Sequence, residues 1–242
     1  MREFTDLERI KQRAKMLLNT NIIETQMSPM FVSHPFTKSG IVFVPEGNDM
    51  VELNIAESPV AFVKWKDIMS KQIDNSTSVY NILYILNDAY LLLFFDTIED
   101  LLSPEDYSKL LVHCWKNSEY SNCDANVRKN KLLNYFKKAD KKYLLSEEEQ
   151  TTINSLSDKV IIYRGVTPYN KKNIRALSWT LDYNTAEWFA NRFGQNGTVY
   201  SATIDKNKIY AYFNDKEQEV IVDPAFLENI KTERQPAQSP HI

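Results

Sequence analysis

Apolar side chains recur at helical spacing near the start of the chain. Phe4, Leu7, Ile10, Ala14, Leu17 and Leu18, with charged residues between them, predict an amphipathic helix within residues 3–26. From Ser28 to Pro59 the texture changes. Short apolar pieces ("MFV", "IVFV", "MVEL") are separated by Pro29, Pro35, Gly40, Pro45 and Gly47, which predicts small strands and turns. Helical signals then return. "SPVAFVKWKDIMSKQI" opens with Ser58 as an N-cap and Pro59 at the first helical position, and "SPEDYSKLLVHCW" repeats that start at Ser103 and Pro104. "SEEE", with Glu149 three residues after Ser146, has the form of a capping box. The most apolar stretch, Val79–Phe95, is interrupted by Asn81, Asn87 and Asp88, so it reads as a buried helix and not a membrane span.

The C-terminal third has a different rhythm. "KVIIYRGV" and "RALSWT" read as short strands. "NTAEWFANRF" reads as a helix with Asn184 as its cap and Ala186, Phe189, Ala190 and Phe193 on one face. "GTVYSATI", "KIYAYF" and "EVIVDP" give three more strands. The order β-β-α-β-β-β lacks the alternation of a parallel, doubly wound sheet, and predicts an α+β fold with antiparallel-rich sheets.

Composition narrows the function classes. The 242 residues are 43% apolar and 25% charged with a net charge of −3, which suits a globular protein and supplies no general pull toward nucleic acid or anionic membrane. A basic run from Arg128 to Lys142, with seven Lys/Arg and one Asp, is read as a solvated helix face. Cys114 and Cys123, the only cysteines, with His113 beside the first, fall short of a zinc set, so no metal is expected. The N-terminus "MREFTDLERIKQRAKMLL" lacks the apolar core of a signal peptide, and a cytoplasmic location is expected. Three of the five glycines, Gly165, Gly194 and Gly197, cluster near the C-terminus, where demanding backbone geometry is therefore expected.

Three features of this last third carry chemistry. Arg164 ends the first strand, the triplet Ser178-Trp179-Thr180 forms the second, and Glu217 and Glu219 flank Gln218 just before the last. Read as part of a strand edge, two carboxylates at i and i+2 point the same way, and their repulsion is worthwhile only beside a cation or a reacting centre. In this order the residues resemble the Arg…Ser-x-Ser/Thr…Glu-x-Glu pattern of mono-ADP-ribosyltransferases of the toxin-like class. "IIYRG" and "LSWTLDYNTAEWFANRF" look like the forms found in phage and bacterial members. The resemblance covers residues 160–224. Ser-Trp-Thr replaces the commoner Ser-Thr-Ser but keeps the first serine, and the Arg-to-Glu spacing is short, which implies trimmed loops.

The resemblance implies a core of two small antiparallel-rich sheets around an NAD cleft, preceded by a helical lobe. It implies that Glu219 stabilises the oxocarbenium-like centre formed when nicotinamide leaves ribose, that Ser178 orients Glu219 or the ribose, and that Arg164 grips the diphosphate. The backbone of Gly165 would meet the nicotinamide amide. Trp179, Thr180, Phe189 and Phe193 would line the dinucleotide site, with Arg192 adding a phosphate contact. A glutamate at the Glu217 position implies an arginine side chain of a target protein as acceptor. Transfer to a nucleic-acid base, hydrolysis of NAD, and a non-catalytic adaptor that binds a partner through residues 1–60 remain as alternatives. The domain organisation expected is an N-terminal extension over 1–65, a transferase-like domain over 66–232 with its helical lobe at 66–155 and its motif-bearing part at 156–232, and a loose tail over 233–242.

Overall fold

The computed structural model describes residues 2–26, 28, 30–118 and 121–233. The chain divides into two compact units, Met1–Val127 and Arg128–Ile242, so the helical stretch 66–155 is shared between them. The expected tail lies, beyond Glu233, outside the described residues.

In the first unit, α1 (Leu7–Leu18) is shorter than the apolar spacing predicted. It starts where the Asp6 carboxylate accepts the Arg9 N–H and ends at Asn19, and it buries Ile10, Ala14 and Leu18. The segment expected to hold small strands does so. β1 (Ile23–Glu24), β2 (Phe31–His34) and β3 (Thr37–Ser39) form one antiparallel sheet, and β4 (Ile41–Glu46) pairs with β5 (Asp49–Asn54) as a separate hairpin. α2 (Pro59–Asp74) begins as its sequence predicts, with the Ser58 hydroxyl accepting the Ala61 N–H at 3.2 Å.

The apolar run from Val79 is not one helix but two, α3 (Val79–Leu83) and α4 (Leu91–Ile98). Asn87 makes the break. Its N–H donates to the Pro35 carbonyl at 2.8 Å, its amide donates to the His34 carbonyl at 3.2 Å, and its side-chain oxygen accepts the Ala89 N–H. A residue holding its backbone this way competes with helix continuation. α5 (Pro104–Asn117) follows its Ser103 cap and packs on α4, with the Phe95 and Tyr107 rings edge to face at 5.2 Å. Among the described residues no helix is long and apolar enough to cross a membrane.

The second unit starts with α6 (Lys129–Lys138), α7 (Lys141–Leu144) and α8 (Glu147–Ser155). The capping box at α8 is present, with Ser146 N–H to Glu149 at 2.7 Å and Glu149 N–H to Ser146 at 3.2 Å. Next come β6 (Lys159–Val166), β7 (Ser178–Thr180), α9 (Tyr183–Asn191), β8 (Thr198–Asp205), β9 (Ile209–Phe213), β10 (Glu219–Val222) and β11 (Glu228–Glu233). The cap of α9 is Asp182 and not Asn184, because the Asp182 carboxylate reaches the Thr185 N–H at 2.7 Å. β11 escapes apolar patterning because its "ENIKTE" is polar and lies along an exposed edge.

All six strands pair antiparallel in one sheet, in the order β11-β8-β6-β7-β10-β9. The α+β class with antiparallel sheets is therefore present. The sheet has a narrow waist: β6 and β8 pair along their whole length, from Lys159↔Asp205 to Val166↔Thr198, whereas β6 and β7 share the single pair Tyr163↔Thr180. Two three-stranded halves meet at that pair.

Back in the first unit, His34 on β2 is fully buried, with the rings of Phe36, Phe62 and Trp65 around it. The Phe36 N–H donates to its Nδ1 at 3.1 Å, so Nδ1 is the unprotonated nitrogen. Burial is the main cause of a pKa lowered from 6.5 to about 4, and Lys66 pushes the same way. The folded chain thus holds a neutral imidazole that the unfolded chain protonates near pH 6.5. Stability from this group is complete above that pH and is lost as pH falls toward about 4. We expect the urea midpoint of the first unit to fall between pH 7 and pH 5 by the equivalent of about 2 kcal/mol. His34→Leu should flatten this dependence, and an unchanged pH profile in that variant would refute the assignment.

Candidate functional site

Strand register decides which side chains share a face. Thr180 on β7 stands between Tyr163 on β6 and Glu219 on β10 as the direct partner of each. Direct antiparallel partners, and every second residue beyond them, point the same way. Tyr163, Gly165, Ser178, Thr180 and Glu219 therefore leave one face of the sheet, and Arg164, Trp179 and Val220 start from the other.

α9 covers the first face beside β6. The Tyr163 and Tyr183 rings meet edge to face at 5.6 Å, and Ala186, Ala190 and Val199 are buried together. At Gly165 the helix comes so close that a Cβ would lie 2.0 Å from the Ala186 carbonyl oxygen and 2.5 Å from the Ala190 nitrogen. The missing side chain at Gly165 thus makes room for a helix, where the motif pattern led us to expect room for a ligand.

Arg164 closes the waist of the sheet. Past the Tyr163–Thr180 pair the β6–β7 ladder stops, and the half-buried guanidinium reaches across. Its Nη1 donates to the Ser178 carbonyl at 2.6 Å and its Nε to the Asn173 carbonyl at 3.2 Å. A planar fork with donors on several edges suits two carbonyls that lie in different directions. Arg164 therefore ties together β6, the start of β7 and the loop 167–177.

Glu219 is buried at the first position of β10, opposite Thr180 on one side and Phe213 on the other. Ser178, the partner of Ile221, is its diagonal neighbour on the same face, a separation of about 7–8 Å in regular sheet geometry. Glu217 is placed differently. It lies in the turn before β10 and is exposed, and Gln218 between the two glutamates has φ 44°. Strand alternation therefore does not carry Glu217 to the side of Glu219. Hydrogen bonds set its position. The Thr180 hydroxyl donates to the Glu217 carbonyl at 2.7 Å, the Glu217 N–H to the Asp215 carboxylate at 3.0 Å, and the Leu181 N–H to the Gln218 carbonyl at 3.2 Å. The same turn is anchored on α8, where Glu149 accepts the Asn214 N–H and Glu148 its side-chain amide, each at 2.9 Å.

The aromatic residues separate into two groups. Trp179 sits in the core on the opposite face, 2% exposed, with its indole N–H on the Ala176 carbonyl at 3.2 Å, because neighbours in a strand point opposite ways. Phe189 adjoins Gly165. The Arg192 guanidinium lies 5.4 Å from the centres of both the Phe189 and Phe193 rings, and its Nε is buried with no hydrogen-bond partner among the described residues. Phe193 itself has left-handed backbone (φ 60°) and is 83% exposed.

The structure thus brings Arg164, Gly165, Ser178, Thr180 and Glu219 onto three adjoining strands, with Phe189 beside Gly165, Arg192 near the Phe189 and Phe193 rings, and Glu217 in the adjoining turn. Trp179 stands apart, in the core on the opposite face. Three contributors do not emerge from the sequence reading: the Asn173 carbonyl, the Asp182 cap, and the acids of α8 that hold Asn214. A main-chain acceptor leaves no trace in a sequence. Asp182 three residues before Thr185 has cap spacing, and its carboxyl is held below the usual range chiefly by the Thr185 N–H. Among the described residues no group of three or more His, Cys, Asp or Glu is placed to hold a metal ion. No protein-family model, curated protein or solved structure matches this chain.

Replacing Arg164 by lysine keeps the charge and removes the fork. A single ammonium cannot reach both carbonyls in the same geometry, so we expect Arg164→Lys to lower the stability of the second unit by about 1–3 kcal/mol in urea melts. A wild-type midpoint would show that the waist holds without this tie.

Proposed function

We propose that this chain transfers ADP-ribose from NAD to an arginine side chain of a target protein, with the release of nicotinamide, and that its second unit is an ADP-ribosyltransferase-like domain. The observation that supports the reading is that Arg164, Ser178 and Glu219 lie in the motif order on the adjoining strands β6, β7 and β10, with Ser178 and Glu219 on one face and the Arg164 guanidinium, which starts from the other, bonded to the Ser178 carbonyl. The resemblance implies two small sheets; the second unit has one six-stranded sheet, and its narrowing to a single pair between β6 and β7 is the feature that supports the reading.

The residues fit a dinucleotide in specific ways. Arg192, whose guanidinium lies 5.4 Å from the centres of the Phe189 and Phe193 rings, supplies a cation for a phosphate oxygen. Phe189, whose Cβ adjoins Gly165, is the aromatic residue assigned to the nicotinamide ring. Arg164 contributes by holding Ser178 and the loop 167–177 at the edge of the site, a positioning role as much as a direct grip. Ser178 orients the ribose hydroxyls or the Glu219 carboxylate.

The reaction divides between the two glutamates. As the bond from ribose C1′ to the nicotinamide nitrogen breaks, the bonding pair leaves with nicotinamide. Positive charge then spreads over C1′ and the ring oxygen, next to the Glu219 carboxylate. A guanidinium is a poor nucleophile while protonated, so Glu217 takes the proton that the acceptor nitrogen gives up as it bonds to C1′. Thr180 links the two acids, since its backbone pairs with Glu219 and its hydroxyl holds the Glu217 carbonyl.

Labelled NAD, incubated with the pure protein and an arginine-rich acceptor, tests this directly. Glu219→Gln should abolish both nicotinamide release and labelling of the acceptor. Glu217→Gln should keep nicotinamide release and lose labelling, and Thr180→Val should resemble it in milder form. Wild-type labelling by the Glu217 variant would sink the acceptor assignment, and full nicotinamide release by the Glu219 variant would sink the reading as a whole.

A further inference from the structure

The net charge of −3 conceals a strong asymmetry. Residues 1–127 carry 11 Lys/Arg and 18 Asp/Glu, a net of −7, and residues 128–242 carry 18 and 14, a net of +4. Within the second unit, the segments 128–139, which spans α6, and 167–177, the loop between β6 and β7, contain basic side chains and no acid. They are joined directly, because the Lys129 ammonium donates to the Arg175 carbonyl at 2.8 Å. Arg128, Lys129, Lys131, Lys171, Lys172 and Arg175 are all exposed.

The loop is a built platform. The Thr167 N–H donates to the Asn170 side chain at 2.8 Å, the Asn173 N–H to the Asn170 carbonyl at 2.8 Å, and Arg175 Nη1 to the Pro224 carbonyl at 2.7 Å. On it stands Tyr169, 82% exposed, two residues before the lysine pair. An exposed aromatic ring beside cationic side chains, on a scaffold held by its own hydrogen bonds, is the combination that accepts a base by stacking and its phosphates by charge. The Arg164 Nε bond to Asn173 ends in the same loop, so the strip adjoins the candidate site.

We propose that the second unit binds single-stranded nucleic acid along this strip, with Tyr169 stacking on a base and the lysines and arginines of the loop and of the start of α6 neutralising phosphates. The inference does not rest on the transferase reading. It concerns a surface outside the acidic pair, and it stands or falls by binding alone.

The test uses the full chain and a labelled oligothymidine of about 20 nucleotides, followed by fluorescence anisotropy between about 50 and 200 mM salt. Binding should weaken with salt, at a slope of about −0.7 per phosphate neutralised. Charge reversal at Lys171 and Lys172 together should lower affinity at least about tenfold and reduce that slope by about 1.4. Tyr169→Ala should lower affinity about tenfold and leave the slope unchanged. Lys231→Glu, half that charge change elsewhere on the unit, should have little effect. The proposal is overturned by absence of binding at the lowest salt, or by an equal loss from Lys231→Glu. It is also overturned if Tyr169→Ala binds like wild type while polyglutamate competes as well as the oligonucleotide, which would assign the strip to an acidic protein surface. If the double reversal fails to fold, as judged by circular dichroism, Tyr169→Ala and the polyglutamate competition decide the matter.

Discussion

The reach of the Arg164 guanidinium across the waist of the sheet is the contact on which the C-terminal unit depends. A sheet that paired fully at β6 and β7 would run on as a continuous ladder past Ser178. One that did not pair at all would leave β7, β10 and β9 without a fixed relation to β8 and β11. A single backbone pair at Tyr163 and Thr180, followed by a side-chain bridge to two carbonyls, keeps the strands in register while letting them part. Charge-assisted bonds to carbonyls are among the stronger hydrogen bonds a side chain makes, each contributing roughly 1.5–3 kcal/mol. A guanidinium supplies them without any chance of losing its charge.

That arrangement separates two kinds of acid. Glu219 is held by a strand on each side and is buried, so its carboxylate has little freedom. Glu217 stands in a turn held by the Thr180 hydroxyl on one side and by the acids of α8, through Asn214, on the other. A rigid group suits a charge that must be met at one point in space, and a group on a tethered turn suits a partner that arrives from outside. The left-handed backbone at Gln218 is what permits the change from turn to strand within two residues.

Much of the architecture was legible in the amino-acid sequence, for identifiable reasons. The helix starts at Ser58, Ser103 and Ser146 rest on short-range hydrogen bonds, which leave local signatures. The bounds of β6 follow its β-branched run. The long apolar segment from Val79 was misread as one helix because the residue that breaks it, Asn87, takes its partners from Pro35 and His34, roughly fifty positions away. β11 was not foreseen because an exposed polar strand carries no apolar alternation. At the candidate site the motif residues could be named in advance. The tie from Arg164 to the Asn173 carbonyl could not, since every residue owns a carbonyl, and the departure of Trp179 into the core required knowing which face was buried. The pairing of Glu217 with Glu219 by strand alternation failed for one reason: the strand begins one residue after Gln218.

The clustering of glycines in the last third also has its explanation. A Cβ at Gly165 would strike the Ala186 and Ala190 backbone, and one at Gly197 would lie 2.2 Å from the Ala190 carbonyl oxygen and 2.5 Å from that of Val166. Gly165 and Gly197 must therefore stay without a side chain, and Ala186 and Ala190, fully buried on the facing helix, complete a quartet of small residues. Such a quartet is a fingerprint of geometry and not of chemistry. Distant kin whose motif residues have drifted would still be recognisable by it, because a side chain at either glycine pushes the helix off the sheet.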